Sequence, residues 1–307
     1  MRPQLLILPG LLLFLFFNLW PIVYSIYISF TNANIRNFPQ PPPWAPEELK
    51  HARPPPDFVG LANYASIFTG PASAGFWNAV FWTLVFVAVS VPAKVALGTF
   101  VGLLMSSEKV LGKSLMKALL IVPWALPLIL SVVAWRYVFD PTYGVVNQLL
   151  YSLGVLKPPD WFVNKDYAYA AMVVIEAWLA YPFIMTVVIG ALANVPRTAF
   201  EAAQIDGAGR WAVFTQITLP LIKRPLIYAS VMTAAASLQF FLVAFLWNFI
   251  QLYDRFMLAY GYYWAFGSPF REYGLAAAVL SISALVISAF MILAIRLTGL
   301  MRGMYES

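Results

Sequence analysis

Two charged residues sit where charge is expensive. Glu176 lies inside AAMVVIEAWLAYPF and Lys94 inside SVPAKVALGTF, both long apolar runs. A charge in such a run is costly unless it is paired or faces water, and it marks a functional position by default. Two readings of Glu176 stand side by side. It pairs with Lys94, which lowers the cost of both, or it accepts hydrogen bonds from the hydroxyls of a bound substrate. Other chemistry is thin. Gly112-Lys113-Ser114 is a fragment of a phosphate-cradling loop. The full pattern needs a further Gly five residues earlier, after a strand, and that position is Ser107 at the end of an apolar helical run. The chain has no Cys, so it has no thiolate ligand, no thiol nucleophile and no disulfide. Its one His, His51, falls in a Pro-rich loop and reads as a solvated side chain, since one His builds no metal site. No catalytic set is complete, and the reading is of a chain that is not an enzyme, binds no metal or cofactor and performs no nucleotide hydrolysis.

The elements that must position these residues are membrane helices. The 307 residues are 62% hydrophobic and 10% charged, against about a quarter charged in a soluble domain. A spanning helix needs about 20 mostly apolar residues. Six stretches qualify, at 5–30, 76–105, 118–139, 168–193, 225–250 and 275–300. The first is too long for the core of a signal peptide and no small-residue cleavage site follows it, so it is read as a retained helix. With both termini inside, ten of the 19 Lys and Arg fall on the inner parts, seven on the longer outer loops, and Lys94 and Arg136 within spans. That density contrast favours cytoplasmic termini, and it accounts for the net charge of +6 without nucleic acid. Arg136, near the outer end of span three, is expected to snorkel to the interface. Lys109, Lys113 and Lys117 read as a cytoplasmic anchor between spans two and three. The outer segment 31–75 is Pro-rich and is expected to be an extended spacer with one helical turn near 47–50. Gly98 and Gly102 have the spacing that lets two spans approach closely.

One inner loop, at 194–224, is polar: EAAQIDGAGRWAVFTQITLP, 201–220. Thr198 and Glu201 have the spacing of a capping box, and Gly207 suits the left-handed end of a helix. A second short helix follows from about 209 to 219, with Trp211, Phe214 and Thr218 on one stripe. Pro220 and Pro225 are expected to break it and start span five. The residues alone leave two readings open: a helical loop lying on the membrane surface, or a docking element for a cytoplasmic partner.

Glu201, Ala202 and Ala203, then Asp206, Gly207 and Ala208, then Ile217, Leu219, Pro220 and Pro225 resemble the EAA loop of binding-protein-dependent ABC transporter permeases. The resemblance implies an all-α polytopic membrane protein with the type I importer permease fold, in the prokaryotic cell membrane, as a single domain over 1–307. In that family the loop is a coupling helix seated in a cleft of an ATPase subunit. The implied partners are a second permease, two cytoplasmic ATP-binding subunits that use ATP and Mg, an extracytoplasmic sugar-binding protein, membrane lipid and a sugar.

Within the family the chain is most similar to the maltose and maltodextrin permeases that pair with a different permease. The strings that carry this are VPWALP at 122–127, GVLKPPDWF at 154–162, WLAYPF at 178–183 and YGLAAA at 273–278. The family's sugar-contacting positions then fall on Trp124 and Leu128, on Glu176, Leu179, Ala180 and Phe183, and near Thr233, Ser237 and Phe240. Aromatic faces and a few polar groups in a mainly apolar site suit a sugar. The chain also departs from the pattern. Glu176 stands where maltose permeases carry a neutral amide, which leaves the particular sugar open. The enteric permeases have extra N-terminal spans and a folded outer domain where this chain has a Pro-rich stretch. AYGYYW at 259–264 replaces a glycine-rich turn. The expected cargo is an α-glucoside such as maltose, a maltooligosaccharide or trehalose. Glycerol-3-phosphate is a rival cargo, and an ion-coupled secondary transporter is a rival of another class.

Overall fold

A computed structural model describes residues 7–38, 54–107 and 110–298. The turn expected at 47–50, His51 and Lys109 lie outside the described residues. Among those described, the only strand-like pairing is an isolated antiparallel bridge between Thr31 and Phe58. The rest of the regular structure is helical. The helices are α1 (Leu8–Ser29), α2 (Ala62–Phe68), α3 (Ser73–Ser106), α4 (Lys113–Ala125), α5 (Leu128–Val138), α6 (Val145–Ser152), α7 (Lys165–Ala193), α8 (Arg197–Ile205), α9 (Arg210–Leu238), α10 (Leu242–Leu252), α11 (Met257–Tyr262) and α12 (Tyr273–Thr298).

Four helices are individually long and apolar enough to cross a membrane: α1, α3, α7 and α12. Two bent pairs of helices are long and apolar enough only when taken together, α4 with α5 at 96° and α9 with α10 at 44°. The stretch expected to be one straight helix at 118–139 is therefore broken. The cause is local: Pro127 disfavours helical backbone at the residue before it, and Leu126 is extended (ψ 143°).

The expected break at Pro220 and Pro225 does not occur. The helix runs from Arg210 through both prolines to Leu238. A widened π turn over Val213–Thr218 lies directly ahead of Pro220. Such a turn relieves the clash a proline ring makes with the carbonyl four residues back. The second helix of the polar loop is thus the start of α9 and is continuous with it. Part of the Pro-rich outer segment is also helical, at α2, where the sequence ANYASIF contains no proline.

The chain forms two compact units, residues 1–82 with 253–286, and residues 83–252 with 287–307. In the first, Asn63 Nδ2 donates to the carbonyls of Ser29 and Thr31, both at 2.8 Å, which fastens α2 to the end of α1. Gly274, the second residue of α12, lies so close to the Thr31 carbonyl that any side chain there would collide with it. Tyr260 Oη donates to the Ala72 carbonyl at 2.9 Å, and the Arg255 guanidinium lies 3.9 Å from the centre of the Trp82 ring.

In the second unit, α3, α7 and α9 meet around Ile184, Val188, Ile222 and Ala229, with Val95, Leu103, Phe183 and Leu226 against them. The contact between α3 and α7 needs both glycines of the expected pair. A Cβ on Gly98 would lie 2.5 Å from Ile184 Cβ and 2.7 Å from the Tyr181 carbonyl, and one on Gly102 2.8 Å from Val188 Cβ. In lipid, where apolar side chains gain nothing by leaving water, such close backbone approach is a main source of helix association.

Candidate functional site

The second unit carries a buried polar cluster. Lys94 comes from α3, Glu176 from α7, and Thr233 and Ser237 from α9. Lys94 is fully buried and Glu176 is 6% exposed. Lys94 Nζ donates to Glu176 Oε1 at 2.7 Å, to Ser237 Oγ, and at 3.4 Å to the Thr233 carbonyl. These three acceptors use the full donor capacity of an ammonium. The Ser237 hydroxyl accepts from Lys94 and has acceptors for its own proton in Glu176 Oε1 at 2.6 Å and the Thr233 carbonyl at 3.0 Å. Glu176 Oε2 is buried and has no donor among the described residues. The pairing reading of Glu176 is therefore realised in this conformation, and one carboxylate oxygen is left over. The cluster joins three helices by charge where the surroundings are apolar, so each link is stronger than it would be in water.

The nine positions assigned to sugar divide by accessibility. Glu176, Thr233 and Ser237 are in the buried cluster. Phe240 is also buried, its ring 4.5 Å from that of Phe86. Trp124 is 66% exposed at the end of α4, just before the 96° bend. Leu128 opens α5 and is half-buried, as are Leu179, Ala180 and Phe183 on α7. Phe183 also packs on the core of the unit. Neither of two cavities in this unit, of about 490 and 500 Å³, is lined by any of the nine.

A second network holds the other end of the unit. The backbone of α10 is extended at Asn248 (φ −158°, ψ 92°), a break in the helix. Arg136 Nη1 donates to the carbonyls of Leu246 and Trp247 at the break, both at 2.9 Å. Arg136 is exposed, as a snorkelling side chain would be, and it also caps freed carbonyls. A helix break frees backbone acceptors, and one guanidinium satisfies two of them at once. Asn248 Nδ2 donates to the Phe162 carbonyl and Trp247 Nε1 to the Trp161 carbonyl, each at 2.9 Å. Trp161 Nε1 in turn donates to Asn147 Oδ1 at 2.7 Å. Arg136, Asp140, Tyr137 and Phe162 help line a cavity of about 490 Å³ here. Sequence reading missed Asn147 and Asn248. The signal available was Asn248 itself, an amide inside the apolar run FLWNFI.

The polar loop is an exposed elbow. Its first helix, α8, begins directly after Pro196, so Thr198 lies inside the first turn and not ahead of it. The expected capping box does not close: among the described residues no bond joins the Thr198 hydroxyl to Glu201. The exit of α8 does follow the expectation. Gly207 has φ +72°, and Ala208 N donates to the Ala203 carbonyl at 2.9 Å. That bond across a left-handed glycine is the Schellman arrangement. Ala203 is buried, whereas Glu201, Ala202, Asp206 and Gly207 are exposed and Ala208 is half-buried. Ile205 is 86% and Trp211 75% exposed. Leu219 and Pro220 lie on the continuous helix that follows, half-buried and exposed respectively.

A family model described as binding-protein-dependent transport system inner membrane component matches residues 94–300. The trehalose/maltose transport system permease protein MalF of Thermococcus litoralis is 32% identical over 237 residues, 77% of this chain and 73% of that protein. The maltose/maltodextrin transport system permease protein MalF of Salmonella typhimurium is 31% identical over 258 residues, 78% of this chain and 49% of that protein. This chain thus spans about half the length of the enteric relatives it matches. A chain from a bacterial ABC transporter that imports the acidic polysaccharide alginate superposes with a TM-score of 0.72 at 20% identity, over 96% of this chain and 94% of that one. At that identity the likeness is one of fold.

Proposed function

Because this chain belongs to the family of binding-protein-dependent transport inner membrane components, the permeases of ABC importers, we propose that it is one permease half of an importer for an α-glucoside. Maltose, a maltooligosaccharide and trehalose are the candidate cargoes. The observation that carries the mechanism is the elbow at 197–220, where Gly207 fixes the turn and Ile205 and Trp211 present apolar surface outward. Exposed apolar side chains beside a rigid turn fit a partner's cleft. Since α9 runs unbroken from Arg210 to Leu238, a push on the elbow passes directly into a helix that carries Thr233 and Ser237 of the buried cluster.

Counting each bent pair as one crossing gives six spans, with both termini and the elbow on the cytoplasmic side. ATP binding and hydrolysis, with Mg, belong to two separate ATPase subunits. Their closure moves the elbow, and this permease and a second, different one rock between outward- and inward-open states. An extracytoplasmic binding protein delivers the sugar. The equilibrium between states shifts only by the difference in how ligand and nucleotide contact each. The open faces of Trp124, Leu128, Leu179, Ala180 and Phe183 supply the sugar's apolar contacts. Glu176 Oε2, which lacks a donor, supplies an acceptor for a sugar hydroxyl when the bundle opens. The names of the 31–32% identical relatives support the sugar class. Lys94 already answers to Glu176, which does not favour a phosphate cargo.

The test is co-purification. The tagged chain expressed from its native genomic context is expected to bring down an ATP-binding subunit, and Gly207→Val to lose it while the chain stays inserted and monodisperse. Retention of the ATPase and of sugar uptake by a Glu201→Ala, Gly207→Val double variant would sink the coupling role.

A further inference from the structure

The second unit contains a cavity of about 500 Å³ bordered by Lys113, Lys117, Arg197, Ser106 and Phe200. Lys113 and Lys117 are one helical turn apart and half-buried. No Asp or Glu is among its described lining residues. Lys113 is the first residue of α4 and Arg197 the first of α8, so two helix N-termini border one space. A cation at a helix N-terminus is opposed by the helix dipole. An anion relieves that opposition, because N-termini and basic side chains attract it together. The rest of the wall includes an apolar strip from α3 and α7, with Leu103, Ile189 and Leu192, and the hydroxyl-bearing Ser107 and Thr218.

We propose that this cavity binds the phosphate-bearing headgroup of an anionic membrane lipid, with the glycerol and acyl carbons against the apolar strip. The inference rests on the membrane-permease reading and on the inward placement of this end. Basic pockets between spans on the cytoplasmic side are suited to such headgroups. The apolar strip favours a lipid over a free anion, because inorganic phosphate gains nothing from it. The cavity joins the end of α3, the start of α4, the end of α7 and the entry to α8. A bound headgroup therefore ties the entry of the coupling elbow to two spans, and the lipid becomes a regulator of how firmly the elbow is held.

The test uses the full-length chain purified with the subunits that accompany it. Native mass spectrometry counts retained lipid after titration with phosphatidylglycerol, with phosphatidylcholine, and with phosphatidylglycerol against inorganic phosphate. Phosphatidylglycerol is expected to be retained in preference to phosphatidylcholine. Lys113→Gln with Lys117→Gln is expected to weaken that retention roughly twenty-five-fold, at about fivefold for each basic side chain, and to leave phosphatidylcholine unchanged. Lys113→Arg with Lys117→Arg keeps the charge and is expected to keep the lipid, which separates charge loss from misfolding. Equal retention of the two lipids, wild-type retention by the Gln variant, or loss of lipid from the Arg variant overturns the site. Displacement of phosphatidylglycerol by an equal concentration of phosphate would make it a soluble-anion site and overturn the lipid assignment. None of these readouts depends on sugar uptake, so a failure of the cargo reading leaves them interpretable.

Discussion

Neutralising Glu176 is the most informative perturbation. Lys94 is fully buried and its ammonium has three acceptors: Glu176 Oε1 at 2.7 Å, Ser237 Oγ and the Thr233 carbonyl. Glu176→Gln removes the one charge that offsets it among the described residues and leaves three neutral acceptors, the amide oxygen at position 176, Ser237 Oγ and the Thr233 carbonyl, the last at 3.4 Å. Breaking a buried pair by removing one partner costs about 3–5 kcal/mol, because the other charge is left uncompensated. Here the surviving acceptors place the expected loss near the lower limit, about 3 kcal/mol. Lys94→Met leaves a buried carboxylate with the Ser237 hydroxyl as its remaining donor among the described residues, and its cost is expected to be at least as large. The double variant Lys94→Met, Glu176→Leu removes both charges together, and such replacements are often neutral. It is expected to recover to within about 1 kcal/mol of the parent. The assay is reversible unfolding of the purified complex in mixed micelles, with Glu176→Leu as the matching single variant so that it, Lys94→Met and the double variant close a double-mutant cycle. Uptake is measured in parallel. Restored stability with lost sugar affinity in the double variant assigns Glu176 Oε2 to the cargo. A coupling energy below about 0.5 kcal/mol, with Glu176→Gln as stable as the parent, would refute the claim that charge holds α3, α7 and α9 together.

Three further outcomes are expected. Gly98→Val drives a β-branched side chain into Ile184 and the Tyr181 carbonyl, and overpacking of this kind costs about 1–3 kcal/mol; thermal unfolding checks it, and Gly190→Ala, which meets nothing nearby, is the control. Arg136→Leu strips two carbonyls at the α10 break of their donor, which costs about 1 kcal/mol because the side chain is exposed and water can replace part of what is lost, and limited proteolysis should then cut within 140–162 before any other described segment of the second unit. Trp124→Ala removes a side chain that is 66% exposed, so it is expected to raise the KM for sugar uptake severalfold with no fall in melting temperature, since the residue contributes little to packing.

Much of this architecture is legible from local pattern. Apolar runs of spanning length locate α1, α3, α7 and α12, because lipid accepts only segments that satisfy their own backbone. Gly207 announces its left-handed turn, since few other residues tolerate it. The glycines at 98 and 102 announce a close approach. What local pattern misjudged was proline. Pro127 ends a helix and Pro92 and Pro220 do not. The difference lies in whether a neighbouring widened turn or packed helix absorbs the ring, and a window of sequence carries neither. The capping box failed for a related reason: the helix entered two residues early, after Pro196, so Thr198 was already inside it.

The candidate site divides in the same way. The sequence by itself determined that Lys94 and Glu176 are expensive and require an answer, because the cost of a charge among apolar residues depends only on its surroundings being apolar. It also showed that 201–210 is too polar to be part of an apolar span, while the structure placed 210–220 at the start of α9. The tertiary structure alone decided that the two charges answer each other, with Ser237 and Thr233 completing the set, and that Arg136 serves the broken end of α10. Those partners stand 82, 143, 139 and 110 residues or so away in the chain. Electrostatic and hydrogen-bonding complementarity acts over a few ångströms of space, and only the packing of α3, α5, α7, α9 and α10 sets which residues share that space.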